Sequence, residues 1–433
     1  MPIWNSKFEK SERSETEQLQ LERLQTTVNR VYRNVPFYRR KFRDMNIVPE
    51  DVQSLVDVTK LPFTTKDDLR DGYPYEMFAV PLREIVRIHS SSGATLKPFV
   101  VGYTKNDLKH WAELVARVMS AAGVTKDDVV QIAFDYGLFT GGFGMHYGAE
   151  RLGASVIPVS AGNTERQIQI MQDFRSSALV GTSSYAIYLI ELMDKLGVSP
   201  AGLCLRVGLF GGEPMGEKTR AEIESRLGII ATDNYGVSAV MGPGIAGECE
   251  LKAGLHINED HFLVEVIDPN TLQVLPEGQE GELVITTLTK EGLPMIRYRT
   301  RDITRITREP CRCGRTTARM QPVKKRTDDM VIVRGVNIYP SEIEGLLYDI
   351  EHIEPHYQIV AHREGGLDYL TLNVELSSSM ISDQLQKLVE LEETIKHRVH
   401  AVIGLTPVVK LVEPKTLQDV GPSNRVIDNR DNG

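Results

Sequence analysis

The chain has 433 residues, of which 41% are hydrophobic and 25% charged, with a net charge of −9. That length allows two or three domains of about 100–200 residues, and the composition excludes a disordered chain. The acidic balance speaks against nucleic acid as a partner, because nucleic acid prefers basic faces. Any polyphosphate must then be held by local backbone amides and a few placed cations.

No apolar run approaches the roughly 18 residues that suggest a membrane span. Residues 1–13 are polar and lack the apolar core of a signal peptide. These features predict a cytoplasmic chain with no membrane partner. In chain order, Leu21, Leu24, Val28 and Val31 recur at helical spacing and predict an amphipathic helix over 15–33. From about residue 128, predicted strands over 129–134, 155–159 and 207–211 alternate with predicted helices over 166–174 and 185–196. Such alternation implies a largely parallel sheet covered by helices. Stretches 262–268, 282–287 and 296–300 are β-rich with turn residues between them, which points to a more antiparallel region. Beyond residue 328 the predicted order is strand (330–333), helix (341–347), two strands (357–361 and 369–375), a long helix (379–399) and a strand (408–412). The fold class is therefore α/β. A large N-terminal domain over 1–327 combines mixed sheets, covering helices and a β-rich region at about 240–320. A small α+β domain occupies 328–433.

Five short stretches have the residue types that nucleotide chemistry uses. The first is Ser90-Ser91-Ser92-Gly93-Ala94-Thr95-Leu96-Lys97-Pro98. Small hydroxylated residues around a glycine let amides and hydroxyls turn inward on phosphate oxygens, and Lys97 adds a point charge. The same stretch also reads as a polar surface turn. The others are Phe210-Gly211-Gly212-Glu213-Pro214, Asp233-Asn234-Tyr235-Gly236-Val237-Ser238, Tyr298-Arg299-Thr300-Arg301-Asp302, and Lys325-Arg326-Thr327-Asp328-Asp329-Met330 followed by 333–340. Singly, each reads as a turn or a strand end. Five in this order are hard to explain that way.

Four cysteines are present. Cys249 and His256 are separated by a loop holding Lys252-Ala253-Gly254, and Cys311-Arg312-Cys313-Gly314 is a tight pair. Three Cys and one His form a closed tetrahedral set suited to structural Zn²⁺; free thiols and a surface histidine are the alternative. Cys204, alone before a strand, is expected in the core. His146, in a helical stretch, is expected to be structural.

Together the five stretches resemble the adenylate-forming superfamily of acyl-CoA synthetases and luciferases, and within it the phenylacetate–CoA ligase family. Further support comes from Tyr136-Gly137-Leu138-Phe139-Thr140-Gly141-Gly142, His146-Tyr147-Gly148-Ala149-Glu150-Arg151-Leu152-Gly153 and Arg334-Gly335-Val336-Asn337-Ile338-Tyr339-Pro340-Ser341. The resemblance implies two half-reactions. A carboxylate attacks the ATP α-phosphate to give an acyl-adenylate and pyrophosphate, and coenzyme A then displaces AMP. It places Ser90, Ser91, Ser92, Gly93, Thr95 and Lys97 on the β- and γ-phosphates. Gly212, Glu213 and Pro214 would line the adenine site. Tyr235 would stack on adenine, with Asp233, Asn234 and Gly236 nearby. Asp302 would accept from both ribose hydroxyls, and Arg326 would sit by the ribose and phosphate. Tyr136, Phe139, Gly141, Gly142, Phe143 and Gly144 would shape the acyl pocket. Asp328 matches a hinge about which the small domain rotates, bringing the Arg334-Gly335 loop toward coenzyme A. Some relatives show a similar Cys/His cluster, and relatives suggest a homodimer.

Three departures from the family pattern stand out. Ala94 and Leu96 replace the usual Thr and Gly of the phosphate loop. Ala239 replaces a Glu that holds Mg²⁺, which Ala cannot do. Pro422 stands where a lysine contacts the carboxylate and α-phosphate, and Lys415 is the last lysine in the chain. Loss of such a donor typically costs about 10²–10³ in rate. Two readings follow: a working ligase in which Lys415 or Arg425 compensates, or a weakened homologue that binds nucleotide and coenzyme A.

Overall fold

The computed structural model describes residues 2–90, 98–323, 325–327, 330–347, 350–364, 367–377, 385–414, 416–417 and 425–430. The chain divides into two compact units, one of residues up to 327 and a smaller one beyond.

The large unit is built on a nine-stranded sheet. Strands Ile230–Val237, Val207–Gly211, Ala178–Gly181, Val129–Ile132 and Ser155–Ile157 lie side by side and pair in parallel. Strands Gly242–Glu248, Leu255–Ile257, Arg319–Met320 and Ile306–Thr307 extend it antiparallel. The central strands Ala178–Gly181 and Val207–Gly211 are apolar without interruption because both their faces are covered. Alternation sends Ala178, Val180, Val207 and Leu209 to one face, against Trp111, Leu114 and Val115 of helix Lys105–Ala121 and Met145 of helix Gly141–Leu152. Leu179 and Phe210 go to the other, against Ile187, Ile190 and Ile223 of helices Ser183–Leu196 and Glu217–Leu227. A second sheet is antiparallel, in the order Phe262–Ile267, Gly281–Thr287, Tyr298–Thr304 and Lys325–Arg326. Strands Arg87–Ser90 and Val100–Tyr103 form a separate antiparallel pair.

In the small unit, Val408–Val412, Leu367–Leu376, Ile353–Glu364 and Val426–Asp428 form one sheet, antiparallel at its centre and parallel at both edges. Helices Pro340–Leu347 and Leu385–Ile403 contribute Ile343, Leu346, Ile395 and Val399 to its core. No helix among the described residues is long and apolar enough to cross a membrane.

Two expectations are corrected. The strand expected over 296–300 is Tyr298–Thr304, because Arg297 has a left-handed backbone, φ 44°, that breaks the extended run. Cys204 is exposed, not core. Its neighbours Leu203 and Leu205 turn inward onto the core beneath the 183–196 helix, and alternation leaves the cysteine outside.

Candidate nucleotide, acyl and metal sites

Strand Ile230–Val237, at the middle of the nine-stranded sheet, has Asp233 and Asn234 buried and Tyr235 half-buried. Asn234 Nδ2 donates to Phe210 O at 2.6 Å, locking this strand to Val207–Gly211. Glu248 accepts from Asp233 N at 2.8 Å and pairs with buried Arg220 at 2.6 Å. Burial, aided by the Glu248 charge, pushes the Asp233 carboxyl up to about 7. At the other end, Tyr235 Oη donates to Asp302 at 2.5 Å. Arg326 also pairs with Asp302, and its Nη2 donates to Thr300 O at 2.9 Å. Strands from both sheets thus bring together Tyr235, Asp302 and Arg326, which are far apart in sequence. Gly212 and Pro214 are exposed, whereas Glu213 is buried. Its carboxylate accepts from Ser184 N at 2.7 Å and Ser183 Oγ at 2.9 Å, at the start of a helix where negative charge is favoured. Ser90 bonds to the backbone of Phe99 and Leu138. Ser91, Ser92, Gly93, Ala94, Thr95, Leu96 and Lys97 lie outside the described residues, as do Asp328, Lys415 and Pro422.

Tyr136 and Phe143 meet edge to face at 5.2 Å, and Phe139 is half-buried. Tyr136 Oη lies 3.2 Å from His146 Nδ1, and His146 Nε2 lies 3.2 Å from Glu150, so the histidine braces the tyrosine. Thr140 Oγ1 and Ser238 Oγ, 2.8 Å apart, tie this segment to the stretch after Tyr235. The glycines divide by use. A Cβ on Gly144 would lie 2.5 Å from the Trp111 ring, and one on Gly142 would lie 2.5 Å from Asp135 O. Their space is filled by the chain itself, a packing demand that the sequence alone assigns to a ligand. Gly141 meets only Phe134, at 3.5 Å. Ala239 is 1% exposed and offers no oxygen to a cation.

In the small unit Arg334 and Gly335 have φ of 51° and 75°, the geometry of a tight turn between Val331–Val333 and Val336–Ile338. Arg334 Nε donates to Asp368 O at 2.7 Å and its guanidinium covers Tyr369. Arg425 pairs with Glu344 at 3.2 Å.

Cys249, His256, Cys311 and Cys313 are all buried, and their ligand atoms lie within 4.8 Å of one another. Lys252 (φ 52°) and Gly254 (φ 102°) fold the 249–256 loop back on itself. Gly314 N donates to Cys311 O at 2.9 Å, closing the second loop. Cys249 and Cys311 sulfurs stand 4.0 Å apart, and Cys313 Sγ is 3.4 Å from His256 Nε2. Tetrahedral zinc with Zn–S of about 2.3 Å sets ligand separations of about 3.5–3.8 Å, so the set fits. His256 Nδ1 lies 3.2 Å from Thr317 Oγ1, the kind of outer contact that orients a ligating imidazole.

Residues 91–289 match the family described as AMP-binding enzyme, and 335–430 the AMP-binding enzyme C-terminal domain. A phenylacetate–coenzyme A ligase of Escherichia coli (strain K12) is 47% identical, with 99% of each chain covered. This chain belongs to the phenylacetate–coenzyme A ligase family. The family member of Aromatoleum evansii is 46% identical, with 98% of this chain and 96% of that one covered. A crystal structure of 2-hydroxyisobutyryl-CoA ligase, in complex with 2-HIB-AMP and CoA, aligns with a TM-score of 0.94 at 32% identity. It covers 99% of this chain and 93% of that one. The chain is accordingly an AMP-forming acid–thiol ligase of the adenylate-forming fold, using a nucleotide and coenzyme A. Sequence reasoning missed the Arg220–Glu248 pair beneath Asp233 and the Thr140–Ser238 link. Neither leaves a local signal, because the partners are 28 and 98 residues apart.

Proposed function

We propose that this ligase activates an arylacetic acid of the phenylacetate kind. The carboxylate attacks the ATP α-phosphate, forming an acyl–phosphate bond and releasing pyrophosphate. The coenzyme A thiolate then attacks the acyl carbon and AMP leaves. The observation that carries this reading is the hydrogen-bonded set of Tyr235, Asp302 and Arg326. A carboxylate has about four lone-pair sites and only accepts, the chemistry by which Asp302 would take ribose hydroxyls. Tyr235 supplies a ring for adenine, while Asp233, Asn234 and Gly236 hold that ring's strand in place. The backbone at Gly212 and Pro214 is open beside it. Tyr136, Phe139, Phe143 and Gly141 form the wall of the acyl pocket. Ser90 begins the phosphate loop that continues through Lys97, and the Arg334-Gly335 turn serves coenzyme A after a swing about Asp328. Position 239 gives Mg²⁺ no ligand, so the ion is assigned to the ATP phosphates alone.

The Cys249, His256, Cys311 and Cys313 cluster is assigned to a structural Zn²⁺ with no open position. The proposal extends to a cytoplasmic homodimer, which sedimentation would read as twice the chain mass. The deciding experiment is pyrophosphate release and thioester formation with ATP, Mg²⁺, coenzyme A and a panel of acids. Phenylacetate-dependent turnover is expected. AMP binding without turnover of any acid would overturn this reading in favour of a weakened homologue.

A further inference from the structure

Arg87 and His89 lie two residues apart on strand Arg87–Ser90 and share one of its faces, while Ile88 between them is exposed on the other. His89 is 2% exposed. Its Nδ1 lies 3.0 Å from Leu138 O. A carbonyl only accepts, so Nδ1 carries the proton and Nε2 presents a lone pair. Nε2 is buried and has no hydrogen-bond partner among the described residues. The same holds for Nη1 of Arg87. That guanidinium lies 5.2 Å from the centre of the Phe143 ring and 4.5 Å from that of Tyr147. The His89 ring meets Phe143 edge-on at 5.8 Å. An unpaired donor and an unpaired acceptor therefore flank one aromatic ring, which itself meets Tyr136 at 5.2 Å.

Buried polar atoms are almost always paired, and these two are of opposite kinds. A carboxylate would answer only the arginine, and an ammonium only the histidine. A hydroxyl answers both, accepting from Arg87 Nη1 and donating to His89 Nε2. Burial, with the Arg87 charge nearby, lowers the proton affinity of His89, so it stays an acceptor at neutral pH. Resting on the acyl-pocket reading above, we propose that Arg87 and His89 are specificity-determining residues that read a hydroxyl on the substrate's aromatic ring. The preferred substrates are then ring-hydroxylated arylacetic acids.

The test compares kcat/KM, by pyrophosphate release, for phenylacetate, its 3- and 4-hydroxy derivatives and the matching methyl ethers. One hydroxy acid should exceed both phenylacetate and its own methyl ether by about ten-fold or more, because a site built for a hydroxyl rejects analogues that lack it. In His89→Phe and Arg87→Met the preference should shrink to within about two-fold. Should either variant fail to fold, the methyl-ether comparison in the unaltered protein decides alone. Equal use of hydroxylated and unsubstituted acids would overturn the proposal and assign the two atoms to a bridging water. An unchanged preference in both folded variants would do so too. Turnover of no acid in the set would overturn both this inference and the arylacetate reading.

Discussion

Asp302 is engaged by Tyr235 and Arg326 before any ligand arrives. Those contacts fix the orientation of its carboxylate. Asp302→Ala should therefore weaken AMP binding by at least ten-fold, since each hydrogen bond to a charged group contributes about 1.5–3 kcal/mol. Calorimetry reads this directly, and unchanged affinity would place the nucleotide elsewhere. Lys290 is a different case. Its Nζ sits 3.2 Å over the Tyr103 ring and 3.7 Å from Met241 Sδ, and burial lowers its pKa to about 7. The unfolded chain keeps a lysine near 10.4. Between those values the unfolded state binds more protons, so stability rises with pH across that window. The slope from this group approaches about 1.4 kcal/mol per pH unit. Lys290→Met should flatten the rise between pH 7.5 and 9.5 in denaturant titrations. An identical pH dependence in both proteins would mean the amine is hydrated.

Helix Lys105–Ala121 and helix Gly141–Leu152 approach closely where glycines permit it. A Cβ on Gly148 would lie 2.2 Å from Val115 Cγ1. Gly148→Ala should cost about 1–3 kcal/mol by overpacking, seen as a lower denaturation midpoint. No loss would mean the helices slide apart freely. The Cys/His loops and their proposed zinc make a second test. Protein purified without added metal should hold about one zinc per chain, and Cys311→Ser should lower stability more than activity per folded molecule. A stable, metal-free protein would refute the site. Sequence legibility follows the same physical lines. Strand Val207–Gly211 was readable because burial on both faces makes a short apolar run bounded by turns. Helix Lys105–Ala121 was not read from its pattern, because its second half is buried on all sides and loses the helical period. Its one local signal was the reciprocal Thr104–Asp107 cap. Cys204 lies outside the expected core because the inward turn of its neighbours Leu203 and Leu205 is visible only in three dimensions. The clustering of Cys249, His256, Cys311 and Cys313 was legible, since loop spacing alone brings each pair together.

At the scale of the whole molecule, the loop carrying Cys311 and Cys313 also holds the first residues of the chain. Arg315, two residues past Cys313, pairs with Glu9 at 2.8 Å and donates to Pro2 O. Thr316 N donates to Glu9 O at 3.0 Å. Trp4 Nε1 reaches Glu113 at 3.0 Å, and Arg13 pairs with Glu259. Chelation should therefore speed hydrogen exchange over residues 2–13 before it reaches the parallel sheet. Simultaneous loss of protection would make the cluster part of the main cooperative unit. The arrangement also bears on the timing of synthesis. Glu9 and Arg315 are 306 residues apart, and at 5–20 residues per second the first waits roughly 15–60 s for the second to be made. Until then the opening segment has its partners Glu113 and Glu259 but lacks the Arg315 and Thr316 contacts that close over Glu9. Nascent chains halted before residue 311 should leave it open to protease, and chains extended past residue 320 should close it.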